Sequence, residues 1–316
     1  MQLRIKTPAR LHLGILDLTG DLGRIYGSIG VAVEEPNLVL EAKESDSLNI
    51  SGGDDAVNSL AKKFFIHYKI EPEIEINITE RIPSHVGLGS GTQLSLALGT
   101  AITKIHGIDA GINDLARIAG RGSLSGIGIA AFEHGGFIVD AGRRVNSKGE
   151  VPPVIFRQPF PEDWEFIIAI PQTEKKVYGQ QEKEAFRKII PAPAGISADI
   201  CRLLQIKLLP ALIEKNIVEF GQSLTEIDRR VGLFFKDIQN GIYRERVSKQ
   251  LVEFMLNNGF HGAGQSSWGP SVYTLAESKG AKEKESALRE FMEKNGIPGE
   301  IITTKASNTG ASINIL

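Results

Sequence analysis

The sequence lacks most of the features that point to a compartment or a bound cofactor. Cys201 is its only cysteine, which excludes an intrachain disulfide and a cysteine-rich zinc site. No apolar run approaches the ~18 residues of a membrane-spanning helix, and the N-terminus has no secretory hydrophobic segment. The formal net charge is only −2, so nothing advertises nucleic acid or an anionic membrane. An anionic ligand would have to be met by local positive charge. Internal repeats and low-complexity tracts are missing too. The expectation is a soluble, cytoplasmic protein without nucleic-acid or membrane partners.

What is present is ordinary in bulk and specific in detail. At 316 residues, 41% hydrophobic and 23% charged, the chain can form one large domain or two closely packed ones. The organising stretch is Pro83-Ser84-His85-Val86-Gly87-Leu88-Gly89-Ser90-Gly91-Thr92. Before it, Ile74, Ile76 and Ile78 alternate with polar residues, a period-2 strand. After it, Leu94, Leu98, Ile102 and Ile105 form one helical stripe. A glycine loop between strand and helix suits an anion, because glycines let the backbone approach and the helix N-terminus supplies free N–H groups. An ordinary strand-to-helix turn would read the same way.

Further candidates lie on both sides of this loop. Leu11, Leu13 and Ile15 make a largely buried strand in which a charged residue is unexpected, with a shorter strand over 3–7 before it. Gly20, Gly23, Gly27 and Gly30 mark a turn region. Arg10 and Arg24 offer guanidinium groups to phosphate or carboxylate, and Asp17 offers a metal ligand or proton acceptor. An internal Arg–Asp pair or turn capping accounts for each equally well. Asp54 reads as the N-cap of a helix running to Tyr68, which also explains Asp54-Asp55 better than a metal does. A second Gly/Ser loop, Arg121 to Gly128, follows a short helix over 113–120 and can meet the first across a cleft. His85 and His134 are acid–base candidates there, or packing histidines. Prolines 152, 153, 159 and 161 punctuate a linker, placing domains at 1–165 and 166–316. Helices are expected over 179–190, 196–208, 210–228, 245–257 and 282–295, with strands over 164–170, 272–275, 299–304 and 311–315. Lys175 and Lys176 follow a strand end as solvated charge.

Three motifs in order and spacing then narrow the field. Pro8-Ala9-Arg10, the Pro83–Thr92 stretch and Gly262-Ala263-Gly264 resemble the motifs of the GHMP kinase superfamily over essentially the whole chain. The resemblance implies an α/β plus α+β architecture. Its N-terminal domain would resemble ribosomal protein S5 domain 2, its C-terminal domain would be ferredoxin-like, and the active site would lie between them. The departures are as telling. Many of these kinases carry a catalytic aspartate in a Ser-Gly-Ile-Asp turn, where this chain reads Ser125-Gly126-Ile127-Gly128. Glycine cannot accept an alcohol's proton. The usual Gly-Leu-Gly-Ser-Ser-Ala becomes Gly87-Leu88-Gly89-Ser90-Gly91-Thr92, and the C-terminal motif continues Gln265-Ser266-Ser267-Trp268-Gly269-Pro270.

With Arg10-Leu11-His12-Leu13-Gly14, Asp17 and Arg24, these segments closely resemble the archaeal β-ribofuranosylaminobenzene 5'-phosphate synthase family of methanopterin biosynthesis. The resemblance implies a decarboxylating transfer. Phosphoribosyl pyrophosphate and 4-aminobenzoate or 4-hydroxybenzoate would give a carbon-linked riboside 5'-phosphate, CO2 and pyrophosphate. It implies that Gly87, Leu88, Gly89, Ser90, Gly91 and Thr92 cradle pyrophosphate bridged by Mg2+. Asp17 is the metal or proton-handling candidate, and Arg10 and Arg24 bind phosphate or carboxylate. His85 contacts the leaving group. Gln265, Ser266 and Ser267 hold the 5'-phosphate or ribose. Trp268 stacks on the arene or is a structural tryptophan. A homodimer is the family-level expectation. The acidic pair and Thr/Gly loop of common phosphoribosyltransferases are missing, since Asp54-Asp55 continues as Ala56-Val57. The substrate assignment therefore rests on the resemblance alone. An ATP-dependent GHMP small-molecule kinase is the alternative, with another carboxylate such as Asp17 as base. A non-catalytic ligand-binding paralogue is a third.

Overall fold

A computed structural model describes residues 1–147, 149–173, 192–239 and 241–316. The helix expected over 179–190 and the pair Lys175 and Lys176 lie outside them. Two long strands dominate the first half, β1 (Gln2–Asp17) and β2 (Arg24–Glu44). They pair antiparallel along nearly their whole length. In β1 the first residues alternate, with Leu3, Ile5 and Thr7 buried and Gln2, Arg4 and Lys6 exposed, as one covered face requires. From Thr7 onward almost every residue is buried, because elements from both halves of the chain pack against the hairpin. The two strands expected over 3–7 and 11–15 are thus one. Gly27 and Gly30, expected in a turn, lie within β2; a Cβ at Gly30 would stand 2.4 Å from Ile127 Cγ2.

The first sheet runs β12-β1-β2-β4-β3, with β5 (Phe137–Asp140) on the other half of β2 and β7 (Val154–Gln158) beside β5. Its remaining strands are β3 (Asn49–Ser51), β4 (Ile74–Glu80), the short β6 (Arg143–Arg144) on β2, and β12 (Ser312–Ile315). Helices α1 (Asp55–Tyr68), α2 (Ser90–Ile105), α3 (Ile112–Ile118) and α4 (Ile127–Glu133) belong to this half. Asp54 caps α1 as expected, its Oδ1 accepting from Val57 N at 3.1 Å.

The second sheet is antiparallel, in the order β11-β8-β10-β9. It comprises β8 (Trp164–Pro171), β9 (Ala263–Gln265), β10 (Val272–Glu277) and β11 (Gly299–Lys305). Period-2 alternation splits its residues between two cores. Ile167, Ala169 and Val272 pack with α8 (Arg246–Asn257) and α9 (Ala281–Lys294). Phe166, Ile168 and Tyr273 instead join the main core with Phe220 of α7 (Ile217–Gln239). Helix α5 (Ala194–Leu203) continues through a π turn (Leu204–Leu208) into α6 (Leu209–Ile213). The widening precedes Pro210, which has no N–H to give an α-helical ladder. The helix expected over 210–228 is broken after Ile213. Lys215 is left-handed (φ 56°), and Asn216 Oδ1 accepts from Glu219 N at 3.1 Å to start α7 afresh. The boundary expected at 165/166 falls at the start of β8, and β12 returns to pair with β1. No helix among the described residues is long and apolar enough to cross a membrane.

Arg24, expected in the site, stands at the head of β2 and ties it to the turn between β5 and β6. Its Nε donates to Ala141 O (2.9 Å) and its Nη2 to Gly142 O (2.7 Å). Arg24→Ala should therefore cost about 2 kcal/mol of stability and leave turnover unchanged below the melting temperature. Denaturant unfolding and initial rates on the same sample check this. Lost turnover with an unchanged midpoint would return Arg24 to the site.

Candidate active site

Strand β1 builds the first wall. Arg10 and His12 are two residues apart, so their side chains share a face. A bulge between His12 and Gly14 then re-aims the strand, and Leu13, Gly14 and Ile15 line the same cavity as those two. Gly14 has no side chain to hold off α7, since a Cβ there would stand 3.0 Å from Ile227 Cγ2.

The glycine loop is held by contacts that only glycine allows. His85, Gly87 and Gly89 adopt left-handed conformations (φ 64°, 92° and 80°). A Cβ on Gly87 would lie 2.3 Å from Ser266 O, one on Gly89 2.9 Å from Arg10 Cγ, and one on Gly91 2.9 Å from Arg121 Nη2. Three distant segments therefore converge on the N-terminus of α2, whose N-cap Gly89 provides no side-chain bond. Arg10 donates from its backbone to Leu88 O (3.2 Å) and from Nη1 to Gly87 O. Ser266 Oγ donates to Gly87 O (2.8 Å) and accepts from His12 N (3.0 Å). Ser267 N donates to His12 O at 3.1 Å, with Ser267 itself left-handed (φ 56°).

Two cavities meet at this convergence. The first, of 370 Å³, has apolar walls that include Leu13, Ile15, Val231 and Phe235, with Asp228, Tyr243 and Gln265 set among them. The second, of 550 Å³, surrounds the glycine loop. Arg10, Thr92, Arg121, Ser267 and Trp268 line both. Around the second, Arg10, Lys63, Arg81, Arg121 and Arg244 outnumber Asp54. This is the local positive charge that the near-neutral composition left open. Arg121 Nε donates to Ser95 Oγ at 3.2 Å, while its terminal nitrogens lie over Gly91. Helix terminus and guanidinium together suit an anion. In the first cavity, burial and then the charge of Arg10 hold His12 down to about 3, so it is a neutral imidazole.

The expected site residues separate into three groups. His85, Gly87, Gly89, Ser90, Gly91 and Thr92 line the second cavity, and Gln265, Ser267 and Trp268 line the first. Trp268 also meets Phe235 edge-on, with ring centroids 4.9 Å apart, so it is at once a wall and a packing residue. Leu88 and Ser266 are buried next to the site; they hold the loop, Leu88 from the core and Ser266 through its hydroxyl. Asp17, Arg24 and His134 line neither cavity. Asp17 receives Thr19 N and Oγ1 on one oxygen and Gly20 N on the other. Burial raises its pKa, but these bonds and one from Ser197 outweigh it and hold the carboxyl below its ordinary value. That is the turn-capping arrangement. His134 follows α4 and lies 3.5 Å from Glu133.

His12, Arg121, Asp228 and Tyr243 were missed. Arg121 had a signal, because it opens the second Gly/Ser loop. His12 had a weaker one, a polar side chain within the buried strand. Asp228 and Tyr243 had none, since only packing brings them to the cavity, α7 against β9 for Asp228 and the segment after α7 folding back on Gly232 for Tyr243.

Gly128 sits where the kinase aspartate is expected, and it is buried in α4. A Cβ there would stand 3.1 Å from Thr92 Cγ2. Thr92, one of the departures in the glycine loop, thus occupies the space next to the missing base. The adjacent Gln93 locks the arrangement. Its Nε2 donates to Gly128 O (2.7 Å), and its Oε1 accepts from Thr7 Oγ1.

Comparison with known proteins agrees with this geometry. Residues 51–136 match the GHMP kinases N terminal domain and residues 208–294 the GHMP kinases C terminal domain. Among solved structures, Lactococcus lactis galactokinase complexed with galactose superposes with a TM-score of 0.72 at 14% identity, over 98% of this chain and 95% of that one. That likeness establishes the fold. Relatives of much higher identity are named beta-ribofuranosylphenol 5'-phosphate synthase. The protein of Methanocaldococcus jannaschii is 38% identical over 98% of this chain and 99% of its own. That of Archaeoglobus fulgidus is 36% identical over 99% and 100%. Full-length identity at this level, on a GHMP fold that lacks the kinase aspartate, places the chain in the β-ribofuranosylphenol 5'-phosphate synthase family of the GHMP kinase superfamily.

Proposed function

We propose that the chain transfers the phosphoribosyl group of phosphoribosyl pyrophosphate to a 4-substituted benzoate with loss of CO2, in methanopterin biosynthesis. The observation that carries this reading is the pair of joined cavities, one ringed by cationic side chains around a helix N-terminus and one in which Leu13, Ile15, Val231, Phe235 and Trp268 set an apolar wall among polar groups. A highly charged donor and a flat aromatic acceptor need that combination, with their reacting atoms meeting at the junction. Pyrophosphate sits at the α2 N-terminus beneath Arg121, where N–H groups and guanidinium stabilise the charge that grows as its bond to C1 breaks. Ser267 and Gln265 face the ribose and its 5'-phosphate. Arg10, at the junction, pairs with the benzoate carboxylate. The ring carbon bearing that carboxylate attacks C1 as oxocarbenium character develops, and departure of CO2 restores aromaticity. Leu13, Ile15, Phe235 and Trp268 keep water from the cation.

The residues fit Mg2+ as a passenger of pyrophosphate. Among the described residues no group of three His, Cys, Asp or Glu is placed to hold a metal, and Asp17 is committed to its turn. Asp54 also lines the second cavity but is held by the α1 cap and by Arg81, 3.7 Å away. The chain thus offers chiefly the hydroxyls of Ser90 and Thr92, the sparse oxygen set that suits a largely substrate-held Mg2+. When bound, the ion neutralises charge on the leaving group. The relatives' names describe a phenol product, which 4-hydroxybenzoate would give and 4-aminobenzoate would not.

Three outcomes follow from this site. Protein given Mg2+, phosphoribosyl pyrophosphate and carboxyl-labelled 4-hydroxybenzoate should release labelled CO2 one-for-one with pyrophosphate, and EDTA should stop it. Folded protein that releases no CO2 from either benzoate would sink the reading. Arg121→Ala should raise the KM for phosphoribosyl pyrophosphate roughly 10- to 100-fold, the loss of one charge-assisted contact, with an unchanged melting temperature. Gly128→Asp should not create a kinase, because its carboxyl would be buried against Thr92. Calorimetry should show about 2 kcal/mol or more of destabilisation, and ATP turnover by that variant with a sugar or mevalonate-like alcohol would revive the kinase alternative.

A further inference from the structure

Asp228 is the only carboxylate among the described residues lining the first cavity. It projects from α7 and is 8% exposed. Its Oδ1 accepts from Gln265 N at 2.9 Å. The Tyr243 hydroxyl stands close enough to the carboxylate to interact with it. Yet no hydrogen bond of ordinary length satisfies Asp228 Oδ2, the Tyr243 hydroxyl, the Tyr273 hydroxyl or Gln265 Oε1 among the described residues, and all four are buried. Gly264 lets the group assemble, since a Cβ there would stand 2.7 Å from the Tyr273 hydroxyl and 2.9 Å from Asp228 Oδ1. One buried corner of the first cavity therefore gathers several polar atoms with unused hydrogen-bonding capacity, an arrangement that suits a ligand.

The position of that corner matters. Asp228, Tyr243 and Gln265 line the first cavity and not the second. On a benzoate whose carboxyl-bearing carbon reaches the junction, the para substituent lies across the ring, away from the second cavity. We propose that Asp228 binds the para-hydroxyl of the acceptor and carries its proton during the reaction, with Tyr243 donating a hydrogen bond to the same oxygen. This rests on the decarboxylating transfer proposed above.

The electron and proton balance is complete within substrate and site. As the bond from the ring carbon to C1 forms and the bond from C1 to pyrophosphate breaks, positive charge reaches the para oxygen. Asp228 takes its proton, leaving a neutral cyclohexadienone that still bears the carboxylate. Loss of CO2 returns the electron pair of the broken bond to the ring and gives a phenolate. Asp228 hands the proton back, and the phenol leaves with no net proton gained or lost. A para-amino group makes no such demand. Its nitrogen lends the lone pair and regains it on decarboxylation with both protons in place.

The electrostatics support this role. Burial pushes Asp228 up to about 7, against the opposing influence of Gln265 N, Tyr243 and Arg229, which suits a group that accepts and returns a proton near neutrality. Burial and the neighbouring Asp228 push Tyr243 far above its ordinary value, so it stays an O–H donor. The other titratable groups around Asp228 are Tyr273 of β10 and Arg229 of its own helix, with Arg10 and His12 of β1 and Arg121 lining the same cavity.

The test is Asp228→Asn, which keeps shape and removes the base, with kcat measured for both acceptors. With 4-hydroxybenzoate kcat should fall about 100-fold or more, and with 4-aminobenzoate less than about 10-fold. The rise of kcat/KM with pH near 7 for the hydroxy acceptor should vanish. Equal losses with both acceptors, or no loss with either, would overturn the proposal. Wild-type protein inactive with both benzoates would instead overturn the function on which it rests. Folding is read independently. The raised pKa of Asp228 means that the fold loses stability as pH climbs from the ordinary carboxylate range to about 7, with the loss complete above it, so the variant should melt above wild type at pH 8. Should it fail to fold, Tyr243→Phe carries the same comparison, and an unchanged ratio of the two acceptors would count against the proposal.

Discussion

The structure depends on one buried hydroxyl. Ser266 Oγ joins the His12 N–H to the Gly87 carbonyl, binding the first strand, the glycine loop and the second sheet at one point. No water competes for these partners, because Ser266 is fully buried, so each bond is stronger than its exposed equivalent. The Gly87 carbonyl also accepts from Arg10, which orients that guanidinium toward the cavity junction. Glycine is required at 87 because any Cβ would strike the Ser266 carbonyl. A loop that must bind a multiply charged anion through its backbone cannot be loose. Here its rigidity comes from a residue more than 170 positions away in the chain.

The same economy governs charge. A chain with net charge −2 has no general attraction for phosphate, and its positive potential is local. Arg10, Arg121, Arg81 and Arg244 arrive from four separate segments to face one cavity. Beside them the first cavity shares Arg10 and Arg121 at the junction, but its His12 is neutral and Leu13, Ile15, Val231 and Phe235 give it an apolar wall. The contrast between adjacent compartments matters more than either alone. An oxocarbenium-like centre forming at their boundary sees leaving-group charge held firmly on one side and an apolar, water-poor wall on the other.

Much of this was legible in the sequence. Period-2 alternation in β4, the stripe of α2, the Asp54 cap and the three ordered motifs specify local structure, and local structure is what residue patterns encode. The glycine loop between strand and helix was readable for the same reason, since loop and helix N-terminus are contiguous. Asp17 and Arg24 show where such reading stops. Both are polar residues beside a buried strand, and nothing in their spacing distinguishes a ligand-binding group from one satisfied by its own turn, as Asp17 is, or by a distant turn, as Arg24 is. Only the positions of Thr19, Gly20, Ala141 and Gly142 decide it. The break before α7 was missed because Asn216 acts as a cap only once Lys215 has turned left-handed. His12 depended on a bulge, and Asp228 on a crossing of α7 with β9. Long-range packing of that kind leaves no periodic mark.

Two substitutions relative to the kinase pattern have a common physical consequence. A kinase base must reach a substrate alcohol from the α4 turn. Here that turn presents glycine, and Thr92 fills the adjoining space, so no carboxylate enters the second cavity from that side. In the proposed reaction this cavity is left to hold an anion as it leaves, and proton handling falls to the opposite end of the site, where Asp228 lines the first cavity. Separation of the two functions follows from the reaction itself. A carboxylate beside the departing pyrophosphate would oppose the charge developing there, whereas one across the aromatic ring raises electron density at the attacking carbon without approaching the leaving group. The GHMP scaffold accommodates both because its helix-terminus cradle and its inter-domain apolar cavity are built from different elements and meet only at the junction.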